Sequence, residues 1–195
     1  MVGRPREFDE NQVLDAAMHA FWAKGYESTS LADLVSATGL LKGSLYQAFG
    51  DKHSLFLQTL NRYLESMRRQ KNEMLAQAAT PLEGLQSVLH GIIDTSDGDS
   101  ACPKGCMAIN SLVELAPHDE KVQRIMGDHV QRMRGSMTKT ITQAQSAGQI
   151  SSQRSPELLT SLLMTFMAGL AATMKGPVSE AEAHQLLDAQ LEMLL

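Results

Sequence analysis

The sequence predicts an all-α protein of about nine helices, and three observations carry that prediction. Capping residues recur at helix-length spacing, apolar residues between them fall three and four apart, and no run alternates with the two-residue period of a half-buried strand. Asp9 with Gln12 fits a capping box ahead of Val13, Leu14, Ala17 and Phe21, and Gly25 ends that helix. Ser30 caps a second helix that buries Leu31, Leu34 and Val35, Gly39 makes a turn, and Lys42 to Phe49 form a third helix. Asp51 caps a long fourth helix to about Ala78, in which Leu55, Phe56, Leu60 and Leu64 give way to the solvated run Arg68-Arg-Gln-Lys-Asn. Thr80-Pro81 with Glu83 starts a fifth helix, to about Thr95. The stretch from Asp97 to Gly105 reads as a loop, whose acids lack the twelve-residue calcium pattern and its terminal Glu. Helices follow at Cys106 to Leu115, at Asp119 to Ala147, at Pro156 to Lys175 behind Ser155, and at Glu180 to Leu194 behind Ser179.

Hydrophobic residues make up 43% of the 195 and charged residues 20%, an ordinary soluble composition. The N-terminus is charged and lacks the apolar core of a signal peptide. The most apolar stretch, Leu162 to Met174, is shorter than the ~20 residues that span a bilayer. A cytoplasmic protein without a membrane partner is the expectation. The net charge of −5 argues against diffuse nucleic-acid binding. Within residues 1–53, Arg4, Arg6, Lys24, Lys42 and Lys52 stand against Glu7, Asp9, Glu10, Asp15, Glu27, Asp33 and Asp51. Phosphate affinity depends on where cations sit rather than on their sum. Arg4 and Arg6 form an arm, and Lys42 and Lys52 flank the third helix.

The segment at about 30–49 has the form of a helix-turn-helix. Such a motif needs an apolar back on its second helix and small or polar residues in front. Leu45 and Phe49, four apart, make the back. Gly43 lets backbone approach a phosphate, Tyr46 offers a hydroxyl, and Ser44 and Gln47 share a face from which Gln can read adenine. Lys52 opens the next helix, where a charge and backbone N–H groups meet a phosphate.

Phe21-Trp-Ala-Lys-Gly-Tyr-Glu-Ser-Thr-Ser30, then Leu34-Val, then Lys42-Gly-Ser-Leu-Tyr-Gln-Ala-Phe-Gly-Asp-Lys-His-Ser-Leu-Phe56, closely resembles the TetR-family repressors. The resemblance implies a DNA-binding domain at 1–53 and a ligand-binding and dimerisation domain at 54–195. Carried over by position, it implies DNA contacts at Lys42, Gly43, Ser44, Tyr46, Gln47 and Lys52. It also places Thr29 and Ser30 where the second helix meets phosphate. Gln47 stands where an aromatic is frequent, and His53 where Glu is frequent. The implied function is a dimeric repressor, released from a palindromic double-stranded operator by a small molecule.

Gly105-Cys-Met-Ala-Ile-Asn110 is similar to one branch of that family, in which a Gly-Cys pair opens the sixth helix and some members sense electrophiles or oxidants. Cys102 and Cys106 are the candidate sensors, with a buried structural Cys106 as the alternative. Cys102, Cys106 and His118 form a permissive but undiagnostic metal set, so no metal or cofactor is assigned. His19, His90, His129 and His184 read as scattered surface or interhelical residues. Met is abundant, and its side chain adapts to irregular apolar ligands. The candidate pocket residues are Cys106, Met107, Asn110, Met133, Met137, Met164 and Met167. Leu158, Leu162, Phe166 and Leu170, with Leu187 and Leu191, are the candidate dimer contacts, pairing two helices from each chain. An enzyme using Glu114, His118 and Asp119, and a plain helical adaptor, are the rival readings. No nucleophile or phosphate loop accompanies the three residues, and no enzyme is expected.

Overall fold

A computed structural model describes residues 8–94 and 105–194. Among the described residues it is all-α, with nine helices and no strand. The first four are α1 (Glu10–Lys24), α2 (Leu31–Thr38), α3 (Lys42–Phe49) and α4 (Lys52–Gln77). There follow α5 (Pro81–Ile93), α6 (Met107–Glu114), α7 (Glu120–Ser146), α8 (Pro156–Thr173) and α9 (Glu180–Leu194). The arm of Arg4 and Arg6, Cys102, and most of the loop expected from Asp97 to Gly105 lie outside the described residues.

The helix starts follow the capping logic. Ser30 and Asp33 form a reciprocal capping box, Asp51 accepts from the Ser54 N–H, and Thr80 accepts from the Glu83 N–H. Asp9 caps α1 by accepting from Asn11 N–H, not through a box with Gln12. Gly25 has φ +83°, and a Cβ there would lie 2.8 Å from the Glu114 carboxylate. Gly39, at φ +68°, makes the left-handed corner between α2 and α3. α8 is 18 residues long, and by length and composition alone it could cross a membrane. The 13-residue expectation was short because Pro156 to Ser161 continue the same helix with few charges. Its inner face packs Leu159, Leu163 and Met167 into the core.

Two apolar cores organise the chain. The first gathers Phe21, Trp22, Leu34, Leu45, Phe49, Leu55, Phe56 and Leu60, and it also takes in Met107, Leu115, Val122 and Met126 from α6 and α7. The second joins α5, α7, α8 and α9 through Leu89, Ile93, Ile141, Leu159, Leu163 and Leu187. The expected boundary at 53/54 therefore falls inside α4, and the first core runs straight across it. Polar ties reinforce that crossing. The Glu114 carboxylate at the end of α6 accepts the Tyr26 and Glu27 N–H groups at 3.1 and 2.9 Å. The Trp22 indole donates to the Gly105 carbonyl, and His53 on α4 meets Asp119 at the head of α7 at 2.5 Å.

Three carboxylates around the first core are held below their ordinary range. Lys24 at 2.5 Å and the Ser30 hydroxyl and N–H lower Asp33, and the Ser54 N–H lowers Asp51. Asp119 is low because the Val122 N–H and His53 outweigh the opposing effect of partial burial. A carboxylate depressed in the folded state adds stability above its unfolded pKa and loses it as pH falls through the folded value. Urea midpoints should thus stay level above about pH 5 and drop steadily below pH 4. Asp33→Asn combined with Asp119→Asn should lower the midpoint at pH 7 and flatten the acid slope, as read by circular dichroism at pH 3 to 7.

Candidate nucleic-acid interface and internal cavity

α3 is anchored from behind and open in front. Leu45 and Phe49 are buried, Tyr46 is half-buried, and Lys42, Gly43, Ser44 and Gln47 are exposed. These four sit together on the open face, as the sequence pattern expects. A Cβ on Gly43 would meet nothing within 4 Å, so no internal contact requires glycine there. Lys42 Nζ lies 6.0 Å from the centroid of the Tyr46 ring. Lys52 is less open than expected: its ammonium sits 4.4 Å over the Tyr26 ring and reaches the Glu27 carbonyl at 3.5 Å.

Two positions need correction or addition. Thr29 is fully buried, and its hydroxyl donates to the Gly25 carbonyl at 2.5 Å, so that side chain braces the α1–α2 turn and offers nothing outward. Ser30 remains exposed at the mouth of α2, with its hydroxyl held by Asp33. Leu41 was missed. It is 77% exposed and stands at the N-cap of α3 with no side-chain cap. A large apolar residue at a position that favours Ser, Thr, Asp or Asn was the available signal. Of the cations on this half, Lys24 is tied to Asp33, which leaves Lys42 and Lys52 nearest the open face.

A cavity of about 280 Å³ lies between α4, α5 and α7. Apolar walls come from Met67 and Met74 on α4, Val88 and Ile92 on α5, and Met133 and Met137 on α7. Arg68, Lys71, His129 and Arg132 lie among its polar lining residues, with Glu65 the single acid among them. Glu65 holds Arg68 at 2.5 Å. Burial, and then Arg68, push the Lys71 ammonium below its usual range. Burial also lowers His129, aided by Arg132 and Lys71, and its Nε2 has no hydrogen-bond partner.

Only Met133 and Met137 of the expected pocket residues line this cavity. Cys106 and Met107 are buried in the first core, where the Tyr63 hydroxyl donates to the Cys106 sulfur at 3.4 Å. Asn110 lies on α6 away from the cavity, its buried Nδ2 unpartnered, while Met164 and Met167 pack in the second core. The reason is that α6 packs against α4, α7 and α8 in the first core, whereas charged residues of α4, which a search for apolar residues passes over, form the cavity wall. Leu170, Leu187 and Leu191 are likewise internal, leaving Leu158 and Leu162 of the expected dimer set exposed and Phe166 half-buried. Glu114 is bonded to the α1–α2 turn, Asp119 caps α7, and His118 is exposed, so the three do not converge on one acid–base centre.

A helix-turn-helix with an open polar face, rigidly joined to a cavity-bearing helical bundle, defines a DNA-binding transcriptional regulator. The comparisons agree: residues 13–59 match the model of bacterial regulatory proteins of the tetR family, and residues 81–189 match the tetracyclin repressor-like C-terminal domain. The chain belongs to the TetR family and is a DNA-binding repressor of that type. It is 28% identical to the HTH-type transcriptional repressor ComR of Escherichia coli over 98% of this chain and 91% of that protein. It is 31% identical to the HTH-type transcriptional regulator YezE of Bacillus subtilis over 78% of each chain. Among solved structures, a cysteine mutant of the regulator CifR complexed with 26-base-pair operator DNA superposes with a TM-score of 0.85, at 26% identity, over 99% of this chain and all of that one.

Gly43→Ala provides a clean test of the open face. It should leave thermal stability unchanged or raise it by up to about 1 kcal/mol, since Ala is the better helix former. The same change should weaken operator binding at least tenfold in fluorescence anisotropy.

Proposed function

We propose that this repressor binds a palindromic operator as a homodimer and is released by an amphipathic organic anion seated in the α4–α5–α7 cavity. The observation that carries the reading is α3, whose front stays polar while its back is locked into a core shared with α6 and α7. Lys42, Ser44, Tyr46 and Gln47 face the major groove, with Gln47 suited to adenine and Leu41 to a thymine methyl. Lys42, the backbone at Gly43, and the α4 N-terminus at Lys52 take phosphates.

Dimerisation rests on the outer faces of α8 and α9. Leu158 and Leu162 are 49% and 40% exposed, and Leu186 and Met193 are 42% and 67% exposed. These pairs are spaced four and seven apart, one stripe on each helix. Apolar stripes of this kind suit burial against the same stripes about a two-fold axis. The apolar outer side of α8 is accounted for in that way without a bilayer. The protein then acts in the cytoplasm, beside its operator.

The effector class rests on charge. Lys71, Arg132 and Arg68 outnumber Glu65, the single acid among the lining residues, around a methionine-rich cavity, and half-burial of the Lys71 ammonium carries a cost that an anion offsets. A carboxylate on an apolar tail satisfies both surfaces. Its binding displaces α4, whose first turn adjoins α3, and so alters the spacing of the two recognition helices. A coupling of about 1–3 kcal/mol changes operator occupancy 5- to 150-fold.

Anisotropy with DNA from upstream of the protein's own gene tests the sequence of events. Tyr46→Ala should weaken binding at least tenfold with helicity unchanged; unaltered affinity would reject this docking. Decanoate should release the DNA while decanol does not, and Lys71→Met should abolish that release without changing DNA affinity. Equal release by decanol would remove the anion from the proposal. Leu158→Arg with Leu162→Arg should yield a helical monomer by light scattering, with operator affinity down more than tenfold.

A further inference from the structure

Helical spacing lays two stripes along the cavity between α4, α5 and α7. On α7, Arg132, Met133 and Ser136 stand three, four and seven residues beyond His129, and on α4, Lys71 and Met74 stand four and seven beyond Met67. His129 is the single imidazole among the lining residues. It is half-buried, and its Nε2 atom is enclosed without a hydrogen-bond partner. Buried polar atoms are normally paired, and one left unpaired carries a cost that a ligand atom can remove.

The charged groups facing the ring are mostly positive. α7 supplies Arg132, and α4 supplies Lys71 together with the Glu65–Arg68 pair. The lining residues of α5, Leu85, Val88, Gly91 and Ile92, carry no charge. Burial first, then Arg132 and Lys71, lower the proton affinity of His129. An imidazole so placed is mostly neutral at pH 7. An anion within hydrogen-bond reach opposes the two cations and turns the unpaired Nε2 into a charge-assisted donor.

We propose that His129 Nε2 donates to the headgroup of the cavity's anionic effector, and that the anion is seated together with a proton taken up from solvent by the ring. This assignment rests on the reading of the cavity as the effector site. The proton forms an N–H bond at the ring nitrogen left bare in the neutral imidazole, no other bond breaks, and the effector carboxylate stays ionised. Protonation of the free ring begins only below the ordinary histidine value, whereas the seated anion raises the value in the complex. Between those two values binding takes up a proton, so effector affinity rises as pH falls; above both it levels off. Each unit by which the anion raises the ring is about a tenfold gain in affinity at low pH. Lys71 is also lowered, by burial and then by Arg68, but linkage through an ammonium grows toward alkaline pH. Operator release by a weak acid thereby becomes stronger in mildly acidic solution.

Titration calorimetry of the full-length protein with decanoate, at pH 6.5 in buffers of different ionisation heat, reads the proton directly. The wild-type chain should take up about half a proton per decanoate, and its Kd should weaken about tenfold between pH 6 and pH 8. His129→Gln, which keeps a polar end in the cavity, should abolish the uptake and hold Kd within about twofold across that range. His90 and His184, whose Nδ1 atoms stand 2.7 Å apart where α5 meets α9, are not among the lining residues, and His184→Gln should leave the uptake as in wild type. In the unmutated protein, the NMR titration of the His129 Hε1 proton should move to higher pH when decanoate is added. Decanoate binding with a level Kd and no proton uptake would overturn the His129 contact while the anion-binding cavity stands. Uptake that persists in His129→Gln would also overturn it. No decanoate heat at any pH, with the Hε1 titration unmoved, would remove the cavity reading and this contact with it.

Discussion

The continuity of α4 is the constraint on which the rest of the structure depends. Its first half lays Leu55, Phe56, Leu60, Tyr63 and Leu64 into the core that steadies the helix-turn-helix. Its second half turns Met67, Lys71 and Met74 toward the cavity. One helix of 26 residues thus runs from the core behind α3 to the wall of the cavity. The Glu114 carboxylate and the His53–Asp119 pair add lateral ties at the same level, so α6 and the head of α7 move with the DNA-proximal helices. Close-packed interiors transmit such displacements rather than absorbing them.

Charge placement reconciles an acidic protein with an anionic partner. The net charge of −5 disfavours diffuse contact with phosphates, while Lys42 opens α3 and Lys52 opens α4. Lys71 and His129 are half-buried beside the methionines of the cavity, with the exposed Arg132 at its edge.

Much of the fold was legible in the sequence because its signals are local. Caps at Ser30, Asp51, Thr80, Ser155 and Ser179, with glycines at 25 and 39, act within one or two turns, and they set the helix boundaries to within about two residues. The open face of α3 was legible for the same reason: Leu45 and Phe49 four apart oblige Gly43, Ser44 and Gln47 to look the other way, while Lys42 is open as the first residue of the helix. The resemblance placed Thr29 beside a phosphate by position alone, and only the packed α1–α2 turn shows its hydroxyl bonded inward.

By itself, then, the sequence determined the number, order and ends of the helices and which residues of α3 pack inward, since propensity, capping and periodicity are short-range. Tertiary packing alone decided which helices wall the cavity, which leucines of α8 and α9 stay outside, and that two histidines 94 positions apart face each other. Those outcomes depend on how helices rotate against distant partners. A residue's helical face is written in its neighbours a turn away, but what that face meets is set by elements far along the chain.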